Sequence, residues 1–193
     1  MKNTSKGKKV ICVALIALLI CAAAVCVFVF FTETKLDADT ASYAEKQIIA
    51  QESPTAYHEA DDFSVASYRV LRAKKRGDTT EIYMVALYEN YVYKNGLSVI
   101  SGSSGPLVLT VQKIDSGYAL KEYWTPSMGA DYSKSINNRF PLTLRYDALG
   151  SSKYAAELIE ENRQKAAAHY GVSVDDLATE PQDDTPTSTT AVS

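Results

Sequence analysis

TEIYMVALYENYVY, residues 80–93, carries apolar or aromatic side chains at both odd and even positions. A strand with one wet face alternates polar and apolar residues with period two. A run that is apolar on both faces belongs in the middle of a sheet, covered on each side. Asn95-Gly96 follows at once, and that pair favours a type I′ turn because both central residues need positive φ. LSVISG (97–102) is therefore the returning arm, leading into SGSSGP (101–106), which reads as a flexible hairpin loop. Upstream, FSVASYRVLRAK (63–74) alternates through Phe63, Val65, Ser67 and Arg69 and then shifts face, which predicts a bulge or a strong bend. KKRGDT (74–79) is the tip joining the two strands.

Working outward, PLVLTVQKI (106–114) and GYALKEYW (117–124) form two more strands around the Asp115-Ser116-Gly117 turn. A helix is predicted from Thr40 to Gln51, with Ala41, Ala44, Ile48 and Ile49 near helical spacing and Pro54 as its stop. A second runs from Ser152 to Tyr170, with Tyr154, Leu158, Ile159, Asn162 and Ala166 on one stripe and Gly171 as its cap. Between Trp124 and Ser152 the chain reads as irregular. The expected fold class is α+β: a helix packed on a curled antiparallel sheet of four or five strands, with a C-terminal helix. By element order this is a cystatin-like or cone-shaped roll.

Residues 10–31, VICVALIALLICAAAVCVFVFF, contain no charge, glycine or proline. As a helix they extend roughly 33 Å, enough to cross a bilayer core. A cleavable signal peptide has a shorter apolar region. Cutting after Ala22-Ala23-Ala24 would leave a hydrophobic stub, and Ile20 before Cys21 and Val25 before Cys26 do not suit a lipobox. Lys2, Lys6, Lys8 and Lys9 precede the run, and Thr32, Glu33, Lys35 and Asp37 follow it. The positive-inside rule then places the N-terminus in the cytoplasm and the C-terminal domain outside the cell membrane, behind a single-pass transmembrane signal anchor.

The expected organisation is a basic cytoplasmic segment (1–9), the anchor (10–31), a polar stalk (32–39), an extracytoplasmic α+β domain (40–172) and an acidic tail (173–193). From Asp175 onward the tail has five acids, no base and almost nothing large and apolar. It cannot offset its ordering entropy and is expected to be disordered.

Residues 32–193 hold 16 bases against 23 acids, so no nucleic-acid partner is expected, because phosphate binding needs a basic face. Cys12, Cys21 and Cys26 all lie in the anchor, which leaves the outer domain without disulfides or thiol chemistry. His58 and His169 are too few for a histidine-rich metal site. No nucleophile elbow, zinc-peptidase helix or phosphate loop is present. No catalytic, metal or cofactor residue is assigned, and the chain is not expected to be an enzyme.

Arg76-Gly77-Asp78 reads as turn chemistry rather than a recognition tripeptide. Arg72, Lys74, Lys75 and Arg76 read as a solvated, edge-protecting hairpin. Glu157, Glu160 and Glu161 form the solvent face of the second helix. The thirteen tyrosines read mostly as core-edge residues, although a binding platform would use the same side chains. Alternation places Leu120, Glu122 and Trp124 on one face, toward the helix. Glu122 then reads as a tie to tyrosine hydroxyls, Arg139 or Arg145. Alternatively, a semi-buried carboxylate there could work as an acid or base in a pocket. Glu122, Tyr123, Trp124, Tyr132 and Arg139 are the candidate ligand-contacting or structural residues. Trp124 is expected to be the main buried anchor of a belt in which Pro126 ends the strand, Gly129 turns the chain, and Tyr132, Ile136 and Phe140 return over the sheet.

The strand YMVALYENYVY (83–93), the Gly-Ser segment before Pro106, LTVQK (109–113) and GYALKEYWTPSMGADYSKSINNRFP (117–141), followed by a Tyr-containing helix, resemble a known arrangement. It is that of an uncharacterised extracytoplasmic domain of Gram-positive, largely clostridial, bacteria. That domain is similar to the C-terminal region of membrane antirepressor metallopeptidases of the beta-lactam-sensor type. The resemblance covers residues 38–170 and is sharpest at Glu122-Tyr123-Trp124-x-Pro126, Gly129, Tyr132, Ser135-Ile136 and Phe140-Pro141. With one span and no zinc-peptidase motif, this chain is not implied to be a peptidase. The resemblance implies an outward-facing sensory or protein-binding accessory of the cell envelope, with an envelope protein or cell-wall component as partner and the bilayer held through residues 10–31. A purely structural envelope component is the other non-enzymatic reading.

Overall fold

The computed structural model describes residues 35–53 and 61–174. The expected anchor and the acidic tail beyond Ser173 and Val174 lie outside the described residues, as does His58. Among the described residues no helix is long and apolar enough to cross a membrane.

Helix α1 (Ala38–Glu52) starts where Asp37 accepts a hydrogen bond from the Thr40 amide at 2.9 Å. The Thr40 amide and hydroxyl together hold the Asp37 carboxyl below its ordinary range. Thr40, Ala44 and Ile48 are the buried stripe, spaced four apart. The helix ends at Glu52 because Ser53 precedes Pro54, and a pre-proline residue is pushed out of the helical region; Ser53 is extended, at ψ 107°.

Four strands follow as an antiparallel meander: β1 (Phe63–Arg76), β2 (Thr79–Tyr93), β3 (Leu97–Ile114) and β4 (Gly117–Trp124), in the order β1-β2-β3-β4. As the pattern of residues 80–93 requires, β2 is covered on both faces. Ile82, Met84, Ala86 and Tyr88 pack under α1 with Leu107, Leu109 and Val111 of β3. Tyr83, Val85, Leu87 and Tyr91 face the opposite way, toward the C-terminal helices.

Those helices are α2 (Tyr132–Arg139), α3 (Arg145–Leu149) and α4 (Ala155–Tyr170), with single 3-10 turns at Gly129–Asp131, Leu142–Leu144 and Ser151–Tyr154. The segment expected to be irregular is thus largely helical, with Pro141 separating its two short helices. On α4 the buried positions are Leu158, Asn162, Ala166 and Ala167, whereas Ile159 is exposed. Gly171 caps α4 at φ 67°, and Val172 donates to the Ala167 carbonyl at 3.0 Å, as the C-terminal glycine foretells.

Three further expectations are corrected. The β2–β3 connection is not a type I′ turn: only Gly96 has positive φ, and it joins Lys94 and Asn95 in a three-residue connection. SGSSG is not a loop. It lies inside β3, with Ser101 opposite Asn90, Ser103 opposite Tyr88 and Gly105 opposite Ala86. The sheet therefore has four strands, with two stretches expected to be separate merged into one. Finally, Leu120 and Trp124 face opposite ways. Thr110 pairs with Glu122 and Val111 with Leu120, leaving Lys121 as an extra residue that inverts the alternation. The face shift expected in β1 is present, with Leu71 unpaired between Val70 and Arg72.

Buried tyrosines tie the layers together and make the domain sensitive to alkali. Burial, reinforced by the charges of Glu45 and Glu161, pushes the Tyr68 phenol up to about 12. Burial and hydrogen bonds to Glu89 and Glu52 respectively raise Tyr91 and Tyr123 further. A raised phenol stabilises the fold below the unfolded value of about 10 and loses that contribution as pH climbs to the folded value. Circular dichroism should therefore show stability flat up to about pH 10 and falling steeply between 10 and 12. Tyr68→Phe should soften the fall, and an unchanged alkaline profile in that variant would contradict the assignment.

Candidate functional site

Pro126 cannot donate to a ladder, and the chain leaves the sheet after Trp124. Because β3 is longer than β4, their pairing covers only Val108–Ile114 of β3. Among the described residues, no strand pairs with Leu97–Leu107 on the side away from β2. A cleft of about 190 Å³ lies where β4 would have continued. Its floor is the Ser103–Leu107 stretch, with Ala86 and Tyr88 beside it; the end of α1 (Ile48, Glu52) forms one wall, and Tyr123, Pro126, Met128 and Tyr132 form another.

Each of these positions has a local cause. Gly102 is small because a Cβ there would lie 2.9 Å from the Tyr88 carbonyl oxygen, so the strands approach closely only with glycine. Ile100 is an extra residue between Val99, opposite Tyr91, and Ser101, opposite Asn90, and this bulge bends the start of the free edge. Glu52 is held at the cleft by two hydroxyls: Tyr123 donates to Oε1 and Ser103 to Oε2, each at 2.6 Å. It is the only carboxylate or amine among the described residues lining the cleft. Met128 is 90% exposed at the rim.

The sequence candidates divide between the two faces. Tyr123 and Tyr132 line the cleft. Glu122, Trp124 and Arg139 do not. Arg139 on α2 donates to Glu81 Oε1 at 2.8 Å and to Glu122 Oε2 at 2.6 Å, clamping α2 to β2 and β4. Burial works to raise the Glu81 carboxyl, but hydrogen bonds from Arg139 and Tyr83 prevail and hold it below its ordinary range. Glu122 is 43% exposed, also accepts from Thr110 and does not line the cleft. Arg145 instead donates to the Phe140 carbonyl at 3.0 Å. Trp124 is only partly buried, against Phe140 at 5.9 Å. The buried anchors of this segment are Ile136 at 0% and Phe140 at 2% exposure.

Sequence reasoning missed Glu52, Ser103, Pro106 and Met128. The available signal was a run without charge, Ser98 to Gly105, next to a strand with covered faces. Its low β-propensity made it read as a loop. His169 stacks on Phe63 with ring centroids 3.9 Å apart, a packing role on the far face. Among the described residues no cluster of His, Cys, Asp or Glu has the makings of a metal site.

Comparison with protein-family models, with curated proteins and with solved structures yields no match.

Proposed function

We propose that this chain is a single-pass, membrane-anchored, extracytoplasmic binding accessory of the cell envelope, non-enzymatic, whose contact surface is the cleft at the open edge of β3. The observation that carries this reading is the contrast, among the described residues, between the sheet edge at β1 and the part of β3 that extends beyond β4. β1 holds five basic residues (Arg69, Arg72, Lys74, Lys75, Arg76), and charge is a device by which edges are kept from pairing. Ser98–Gly105 of β3 holds no charge at all, with Ser98, Val99 and Gly102–Ser104 exposed. An uncharged edge beside an aromatic cleft suits a binding surface. The apolar run 10–31, the lysines before it and the resemblance to sensor-type extracytoplasmic domains support the anchored, outward-facing part. For the fold type, the leading helix and meander support a cystatin-like or cone-shaped roll, with α2–α4 added on the second face.

Protease added to intact protoplasts should digest residues 32–193; protection of that region would overturn the topology. A photo-crosslinking amino acid at Ser103 of the full chain, in the cells that make it, should give an adduct with an envelope protein or wall component. The same group at Lys75, on the defended hairpin, should give none. Equal labelling at both positions, or none at Ser103, would overturn the assignment of the surface.

A further inference from the structure

The shape and chemistry of the cleft specify what it takes. We infer that the site binds an extended segment of another protein, which adds to β3 as a fifth strand and places one lysine or arginine side chain against Glu52. This rests on the cleft being the contact surface, and goes further by naming the partner's form and charge.

Pro106 is opposite Val85 in the β2–β3 ladder. Proline has no amide hydrogen, so within a sheet its nitrogen sits where no ladder bond is lost. At position 106 that means facing away from β2. By the period of two, the N–H and C=O groups of Ser104 and Gly102 face the same open side. Two residues thus turn their backbone hydrogen-bonding groups outward, with exposed serine and glycine around them. An incoming strand satisfies these groups without disturbing β2.

Volume decides between a small molecule and a side chain. Pockets for drug-sized ligands run to roughly 300–1,000 Å³, so about 190 Å³ is too little. It does suit one long side chain from a strand lying on the edge. The walls choose its charge: Tyr88, Tyr123 and Tyr132 supply aromatic surface, and Glu52 supplies a carboxylate. Aromatic faces and a carboxylate together favour a cation. Residues 32–193 also carry 23 acids against 16 bases, which draws a basic segment rather than an acidic one. A second copy of this chain fits less well, because the stretch it would present, Ser98–Gly105, has no basic residue to set against Glu52.

The test uses the full chain in detergent micelles and an array of random decapeptides. Bound peptides should share lysine or arginine at one fixed position between β-branched neighbours, roughly tenfold preferred over glutamate there. Glu52→Lys should invert the preference toward aspartate and glutamate. Ser104→Pro, which removes an outward amide while leaving the β2 ladder intact, should abolish binding with an unchanged melting temperature. Should that variant fail to fold, hydrogen exchange decides in its place: the Gly102 and Ser104 amides must slow when a selected peptide binds. Peptide binding that ignores Glu52→Lys, or that leaves both amides unprotected, overturns the inference. If no decapeptide binds while Ser103 still crosslinks to another envelope component, strand addition is wrong and the cleft remains the contact surface. If both fail, the surface itself is wrong. An adduct between two copies of the chain overturns the separate partner.

Discussion

Phe140→Ala should unfold or nearly unfold the domain. The ring is 2% exposed and sits where α2 ends, edge-on to Tyr83 at 5.3 Å and tilted against Trp124 at 5.9 Å. Ile136, Leu144 and Ala148 close around it over Val108 of β3. No other aromatic side chain of the 125–151 segment is fully buried, so the cavity left behind has no spare ring to collapse into. Truncating a buried phenylalanine costs about 3–5 kcal/mol, against a total stability of about 5–15 kcal/mol for a domain of this kind. Trp124→Ala should cost less, about 2 kcal/mol, because the indole already gives part of its surface to water. Urea denaturation of the two variants gives the order directly. A larger loss for Trp124→Ala would restore the tryptophan as the anchor of the segment.

Asn162→Ala should be the second severe change, for a polar reason rather than an apolar one. Asn162 is fully buried on α4, and its Nδ2 donates to Glu89 Oε2 at 3.0 Å and to the Leu87 carbonyl at 3.3 Å. Glu89, 9% exposed on β2, has the Tyr91 hydroxyl at 2.8 Å on the same oxygen. Removing the amide strips a buried carboxylate of one of these donors and takes the side-chain donor from the Leu87 carbonyl. The expected loss is about 2–4 kcal/mol. Neutralising the acid as well should return part of it, so Glu89→Gln with Asn162→Ala should be more stable than the sum of the single changes predicts. Strict additivity would mean that the two side chains do not depend on each other.

The two changes act on different links between sequence and fold. Phe140 and Ile136 stand four apart just before Pro141, a spacing that is visible in the sequence as returning apolar groups. Asn162 was visible only as a polar member of an otherwise apolar stripe. Its partner Glu89 lies 73 positions away on a strand that reads as hydrophobic, and no local pattern joins them.

Local sequence dictates the central strand, the α+β class, both ends of α1 and the end of α4, but not the short helices α2 and α3. Residues 82–88 had to be covered on both faces because Ile82, Met84, Ala86 and Tyr88 on one side and Tyr83, Val85 and Leu87 on the other are all apolar or aromatic. Asp37 before Thr40, Ser53 before Pro54, and Gly171 after Tyr170 fixed helix ends through contacts no more than one turn long. Tertiary structure alone decided which residues share a face and where the sheet stays open. One extra residue inverts every later side chain, and Leu71, Ile100 and Lys121 each do so through pairing with a distant strand. That is why Trp124 and Tyr123 exchanged the faces that simple alternation gave them. SGSSG has little intrinsic preference for an extended chain, so its place in β3 comes from the Ser101–Gly105 pairing with β2. The open edge exists only because Pro126 turns β4 away before it reaches Leu107. Such an absence of pairing belongs to two segments at once, so neither segment's sequence displays it.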